Sequence, residues 1–426
     1  MEPVTLSYPI HDARLANGLR VVVSPDHCSP VVAVNLWYDV GSGDEVPGRT
    51  GFAHLFEHLM FQGSLNVASG DHLGLLQAAG GSVNGTTSFD RTNYFEAVPV
   101  GALRLALWLE ADRLATLLEA VDQDSLNNQR EVVKEEKRQR YDNVPYGDVF
   151  EHLVRLAFPA GHPYGHMTIG SMADLDAASL DDVRAFFTTH YSPGRAVLTL
   201  VGDVTAAEGV ALAEEFFGHV PGGSPRLRPV VDPLPALTGV PRLEVTAAVP
   251  RDGVYLCWRV PPVAHPDLEA LTLATSILGD GLTSRLHHGL VRSELAEATG
   301  AFVMPLMRGT SLAVAYARCR DGVTTESVEE ALLATWDAFL REGPTDAELA
   351  RAQVQSTREW LGDLADVQHR ADAISQFATQ RDDPGYLNRR LADVQSLTAT
   401  DVTTAARRWL PSDRRGVLVY RSEEPS

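Results

Sequence analysis

From Gly51 to Gly63 the chain reads Gly-Phe-Ala-His-Leu-Phe-Glu-His-Leu-Met-Phe-Gln-Gly, and its apolar residues recur with a helical period. Phe52, Leu55, Phe56, Leu59 and Met60 fall at i, i+3, i+4, i+7 and i+8, a stripe that faces a core. His54, Glu57, His58 and Phe61 repeat that spacing two residues later, about 200° round the helix at about 100° per residue. The pattern predicts one short helix with an apolar face and an opposite, chemically equipped one.

Around it, periods of two and of 3.6 alternate along the chain. Val4 to Tyr8, Arg20 to Ser24 after the Asn17-Gly18 turn, and Val31 to Val40 read as strands. Asp71 to Ala79 reads as a helix stopped by Gly80-Gly81. Val83 to Phe89 and Thr92 to Val98 form a hairpin around Asp90-Arg91, unless Asn84-Gly85 is itself the turn. Leu103 to Leu118 and Ser125 to Tyr141 read as amphipathic helices. In the second of these Gln129, Val132, Val133 and Glu136 share one face, and Glu131, Glu135 and Arg138 a neighbouring polar one. Asp148 to Phe158 reads as a further helix, leading into a Gly/Pro/His-rich loop from Pro159 to Gly170. Then come a helix near Leu180 to Thr189 and a strand at Ala196 to Val201.

A proline-rich stretch from Pro221 to Pro235 interrupts the pattern, and the residues beyond it repeat the pattern of those before it. Val34 to Val40 matches Val254 to Val260, about 220 residues apart. Asp174-Leu175, Asp182-Val183 and Val197-Leu198 match Asp393-Val394, Asp401-Val402 and either Gly416-Val417 or Val417-Leu418. The expected fold is therefore α+β: two duplicated domains of similar topology, each an antiparallel-rich sheet packed with helices. The boundaries read as 1–222, a linker at 223–235, and 236–426. Where the first domain carries its two-faced helix, the second has Asp267 to Leu278, helical in pattern but without histidines. Only the first domain is expected to be chemical.

Composition narrows the reading. A chain of 426 residues that is 44% hydrophobic can bury large cores. Its formal charge of −20, from 56 acidic against 36 basic residues, opposes a phosphate backbone as partner. No segment is apolar enough to cross a membrane, and Met1 to Asn17 does not read as a leader, so a cytoplasmic protein is expected. Cys28, Cys257 and Cys319 lack the spacing of a thiolate metal site.

The chemistry sits on the two-faced helix. His54 and His58, one turn apart, can grip one divalent ion, and Glu57 beside them can hold a water. The pattern His-x-x-Glu-His reverses the commoner His-Glu-x-x-His zinc signature. On the later helix Glu136 points inward with valines. A carboxylate there must be paired or bound to metal, since burying it unpaired costs several kcal/mol, so Glu136 is the candidate third ligand.

With an inverted zinc motif, a distant glutamate and a duplicated α+β half, the chain resembles the pitrilysin or insulinase-like zinc peptidases. It is most similar to their processing-peptidase branch of about 400–450 residues per chain. In that family the third ligand comes after Arg-x-Val, here Arg130-Glu-Val-Val-Lys-Glu-Glu136. The resemblance implies one zinc ion on His54, His58 and Glu136, with Glu57 as the base that deprotonates the attacking water. Gly81 to Ser88 resembles the family's substrate-binding edge strand, which places Asn84, Gly85 and Thr86 nearest the scissile bond. Gln129 stands where the family often has a glutamate next to the metal ligands. His162-Pro-Tyr-Gly through Thr168-Ile-Gly-Ser171 is a further match, with His162 and His166 read as loop residues.

The resemblance also implies a clamshell of which this chain is one half, closing on unfolded peptides. In the family's second domain an arginine and a tyrosine reach the substrate carbonyl. Here Arg285 keeps the arginine, but Glu297 stands near the expected tyrosine. A heterodimer with a related, metal-free subunit that supplies arginine and tyrosine is therefore expected, with a homodimer as second choice. The rival reading from another class is a non-catalytic scaffold or binding subunit of such a complex.

Overall fold

The computed structural model describes residues 5–223 and 231–423. Part of the expected linker, 224–230, lies outside the described residues, as does Val4. In the first half the elements are β1 (His11–Arg14), β2 (Arg20–Pro25), β3 (Val31–Tyr38), α1 (Phe52–Leu59), α2 (Asp71–Ala78), β4 (Ser82–Thr87), β5 (Thr92–Pro99), α3 (Leu103–Ala120), α4 (Gln123–Lys137), α5 (Val149–Ala157), α6 (Met172–Ala177), α7 (Leu180–His190), β6 (Ala196–Gly202) and α8 (Ala206–Phe217). The second half holds β7 (Arg242–Ala247), β8 (Gly253–Val260), α9 (Asp267–Gly279), β9 (Ala296–Met304), β10 (Ser311–Cys319), α10 (Thr325–Glu342), α11 (Asp346–Ala365), α12 (Val367–Gln380), α13 (Tyr386–Ser396), α14 (Ala399–Trp409) and β11 (Gly416–Ser422).

The first sheet runs β1-β2-β6-β3-β5-β4 and the second β7-β11-β8-β10-β9. Apart from the added β1, the orders correspond strand for strand, including one parallel pair in each, β2 with β6 and β7 with β11. Register agrees as well: Leu36 faces Leu198 in one sheet and Leu256 faces Val417 in the other. That pairing settles the alternative left by the repeat, because Val197-Leu198 corresponds to Gly416-Val417.

Strands β2, β3 and β6 are buried along nearly their whole length, so both faces of the sheet are covered. On one face Val34, Leu36 and Tyr38 join the first half's own helices through Leu55, Phe56 and Leu59 of α1. On the other, Ala33 and Trp37 pack under Ala371, Ile374, Phe377 and Ala378 of α12, a helix from the second half. The exchange is reciprocal. Leu153, Val154 and Ala157 of α5, from the first half, pack on Tyr255, Cys257, Val314 and Leu418 of the second sheet. Each half therefore completes the core of the other, which no pattern within one half reveals.

Two sequence readings need correction, and one alternative is settled. The first strand is His11–Arg14, paired with β2, and Thr5 to Tyr8 is not a strand; Tyr8 instead exchanges backbone hydrogen bonds with the Asn388 side chain. Asn84-Gly85 is not a turn: both residues lie within β4, opposite Phe95 and Tyr94. The inward face of α4 is Leu126, Gln129 and Val133, whereas Val132 is exposed. No helix among the described residues is long and apolar enough to cross a membrane.

Candidate metal centre and its cleft

Helix α1 starts where two glycines cross. Gly51 adopts φ 88°, a left-handed conformation that favours glycine, and a Cβ on Gly170 would collide with it. Gly51 has no side chain to cap the helix. The carboxylate of Glu45 does so instead, accepting from the Gly51 and Ala53 N–H groups at 2.9 and 2.8 Å. The Glu45 side chain is fully buried, and His166, from the loop before α6, lies 2.8 Å from its Oε2. Negative charge at this end also suits the helix dipole. The loop that carries His166 is thus part of the clamp that aims α1.

With α1 so placed, its apolar stripe is buried and the opposite face looks onto α4. The Nε2 atoms of His54 and His58 lie 3.6 and 3.3 Å from Glu136 Oε2. One ligand atom from each of the three residues falls within 4.8 Å of the others. Two imidazoles and one carboxylate, converging from two helices, fit a zinc ion that keeps one position open. Burial, and then the neighbouring His58, holds His54 well below its ordinary value, to about 4, so it is an unprotonated donor at neutral pH. Glu136 is held below the usual carboxylate range, first by its hydrogen bond with His58. Its second oxygen accepts from Arg140 at 2.7 Å.

Glu57 stands apart from this convergent set. It faces the edge strand, where the Thr87 hydroxyl donates to its Oε2 at 2.5 Å. Burial raises Glu57 above the usual carboxylate range, which strengthens it as a base near neutrality. Strand β4 comes this close because Gly85 lacks a side chain: a Cβ there would stand 3.2 Å from Glu57 Cγ, Phe61 Cε2 and Tyr94 Cδ1.

Among the described residues strand β4 is the edge of its sheet and pairs only with β5. Ser88 N–H bonds Arg91 O, so antiparallel alternation turns the backbone of Asn84 and Thr86 toward β5 and that of Val83, Gly85 and Thr87 toward the open edge. The Asn84 side-chain carbonyl accepts from the outward Gly85 N–H at 2.9 Å. His54, His58, Glu136, Glu57 and the open edge line one cleft of about 660 Å³, walled also by Phe61, Gln129, Tyr141 and Ile169. Gln129, buried on α4, lines this cleft as an uncharged amide.

Arg285 lies elsewhere. Two of its nitrogens are committed within the second half, Nε and Nη2 to the two Glu348 oxygens at 2.7 and 2.8 Å, and its guanidinium covers the Phe339 ring. Glu297 lies 3.6 Å from Arg251. Another convergent set, His72, Glu96 and Glu110, is fully buried behind Phe61. Its charge is already answered by Arg113, which bonds both Glu110 oxygens and stacks on Tyr94, so it serves as the cleft's foundation.

Sequence reasoning missed Glu45, Thr87 and Arg140. Arg140 comes four residues after Glu136, a spacing that invited the pair, though the helix widens into a π turn over Arg138–Asp142. Thr87 shares a strand face with Gly85 two residues earlier. Nothing local marks Glu45.

Comparison with known proteins places these features in context. The family model described as "Insulinase (Peptidase family M16)" matches residues 20–169, and that described as "Peptidase M16 inactive domain" matches 177–356. The zinc protease PqqE of Helicobacter pylori is 30% identical over 387 residues, 88% of this chain and 85% of that protein. The uncharacterized zinc protease Rv2782c of Mycobacterium tuberculosis is 28% identical over 414 residues, 95% of this chain and 91% of its own length. Among solved structures, a protease from Helicobacter pylori superposes with a TM-score of 0.91 at 26% identity, covering 97% of this chain and 99% of its own. A peptidase M16 inactive domain from Pseudomonas fluorescens shares the fold, with a TM-score of 0.86 at 19% identity over 98% of both chains.

Proposed function

Since the chain belongs to the insulinase family, peptidase family M16, we propose that it is a zinc-dependent endopeptidase for unfolded peptides. The observation that carries this reading is the convergence of His54, His58 and Glu136 beside Glu57, on a cleft bordered by an open strand edge. Zinc, when bound there, supplies a Lewis acid that polarises the scissile carbonyl and acidifies a water.

The chain's own residues do the rest. An extended peptide adds to β4, its backbone bonding the outward groups of Val83, Gly85 and Thr87 after Asn84 releases the Gly85 N–H. Main-chain bonding demands an unfolded segment and reads little of its sequence. Glu57, its carboxylate oriented by Thr87, takes the proton of the attacking water and delivers it to the leaving amine.

In this reading the chain is one half of a chamber and works with a partner. With Arg285 engaged by Glu348 and Glu297 in place of a tyrosine, a related metal-free subunit that supplies arginine and tyrosine suits it best, and a second copy is the next choice.

The test is cleavage of an unstructured peptide mixture by the zinc-loaded chain, read by mass spectrometry, with native mass and metal content measured on the same sample. Glu57→Gln should keep one zinc per chain and lose turnover by about 100-fold or more. Glu136→Gln should lose the metal as well. A Glu57→Gln variant that cleaves at the parent rate would refute the assignment of the base.

A further inference from the structure

The back of β4, the face turned away from α1, is tied to the second half of the chain. Thr86 points to that side, where Arg91 Nη1 donates to the Thr86 carbonyl at 2.9 Å and to Asn93 Oδ1 at 3.0 Å. Arg91 also lies over the Trp37 ring, 5.2 Å from its centroid. Asn93 in turn donates at 2.9 Å to Asp372, on the exchanged helix α12, and Asn35 reaches the same oxygen at 3.4 Å. Asn35 and Asn93 are buried. Arg91 and Asp372 attract each other across this layer, and Glu57 attracts Arg91 from the other face.

We propose that Asp372 is a positioning residue for peptide binding: from the second half of the chain it holds, through Asn93 and Arg91, the set of β4 whose open edge receives the substrate. The inference rests on the peptidase reading. An edge strand has a neighbour on one side only, so its twist and height are set by what packs on its two faces. On the front, Glu57 and Phe61 meet Gly85; on the back the guanidinium of Arg91 grips the Thr86 carbonyl. Removing the Asp372 charge takes away one of the two carboxylates that attract that guanidinium and weakens the acceptor that fixes the Asn93 amide, so Asn93 no longer holds Arg91 in place. Thr86 then loses its grip, and the outward groups of Gly85 and Thr87 lose their register with an incoming peptide. His54 and His58 are placed by α1 and its Glu45 cap, so zinc binding stays intact.

The experiment measures binding of a fluorescent, unstructured peptide to zinc-loaded full-length Glu57→Gln protein by anisotropy, alone and combined with Asp372→Asn. The control is Ser375→Ala, which removes a buried bond from the same helix to the same sheet, Ser375 Oγ to Thr199 Oγ1 at 2.8 Å, but on β6 rather than near the edge. Asp372→Asn should weaken peptide binding about tenfold with zinc content unchanged. Ser375→Ala should lower the melting temperature and leave the Kd alone. If Asp372→Asn fails to fold, Arg91→Lys carries the same expectation, since lysine keeps the charge but not the fork. An unchanged Kd for the Asp372 variant, or a loss matched by Ser375→Ala, overturns the positioning role. Failure of the Glu57→Gln parent to bind any peptide overturns the peptidase reading itself, and this inference with it.

Discussion

Gly85→Ala adds one methyl group where the edge strand approaches Glu57 of α1 and the neighbouring Phe61. Its Cβ would meet Glu57, Phe61 and Tyr94 at 3.2 Å each, where an ordinary contact begins at 3.4 Å. Two of those neighbours are hard to move. Tyr94 is fully buried under the Arg113 guanidinium at 4.2 Å, and Phe61 meets Tyr94 edge to face with ring centroids 5.7 Å apart. The shift therefore falls on Glu57 and on β4, and breaks the alignment of Glu57 with Thr87. Overpacking of this kind costs about 1–3 kcal/mol, of which the lower backbone entropy of alanine in the unfolded chain returns about 0.4–1 kcal/mol. A net loss of about 1–2 kcal/mol in stability is expected. Displacing the base by a few tenths of an ångström should lower kcat about tenfold, since misplacement by about 1 Å costs about 100-fold. Hydrolysis of a quenched fluorescent peptide gives kcat and KM, a thermal melt gives stability, and elemental analysis gives zinc, which should stay at one per chain. Parent-like kcat with an unchanged melt would refute the packing argument. A raised KM at unchanged kcat would show that the methyl group obstructs the peptide rather than the base.

Two further predictions concern the scaffold. The Arg285 hydrogen bonds hold the Glu348 carboxyl below its ordinary 4.5, to about 2, so the pair stabilises the fold above about pH 4.5 and loses that contribution as the pH falls toward 2. Arg285→Ala should therefore cost up to about 3 kcal/mol in urea melts at pH 7 and less than half of that at pH 3, and an equal cost at both would remove the pair as its cause. Ile374→Ala empties a site on α12 that fills the first sheet's core, at about 2–5 kcal/mol. Because the helices are exchanged, hydrogen exchange should then speed up in β2, β3 and β6 as well as in α12; protection lost only in the second half would argue against the interlock.

Much of this molecule is legible in local spacing. A helix of fixed period sorts its own residues into faces, so the ligand face of α1 and the inward turn of Glu136 can be read without knowing what they meet. The same period could not decide whether Val132 or Leu126 joins Glu136, since the two lie at opposite margins of that face and the neighbouring element chooses. Repeated strand patterns likewise announced two halves with one topology. They could not show that α5 and α12 change places, because a helix carries an apolar stripe whichever sheet it covers. The family resemblance already pointed to β4 as an edge, but tertiary structure alone decided which of its groups face outward, and that Glu45, His166, Arg91 and Asp372 hold the site from afar. Spacing along the chain encodes only what lies within a turn or a strand. Contacts across tens to hundreds of residues are settled when the core closes, and there each buried charge had to find its partner.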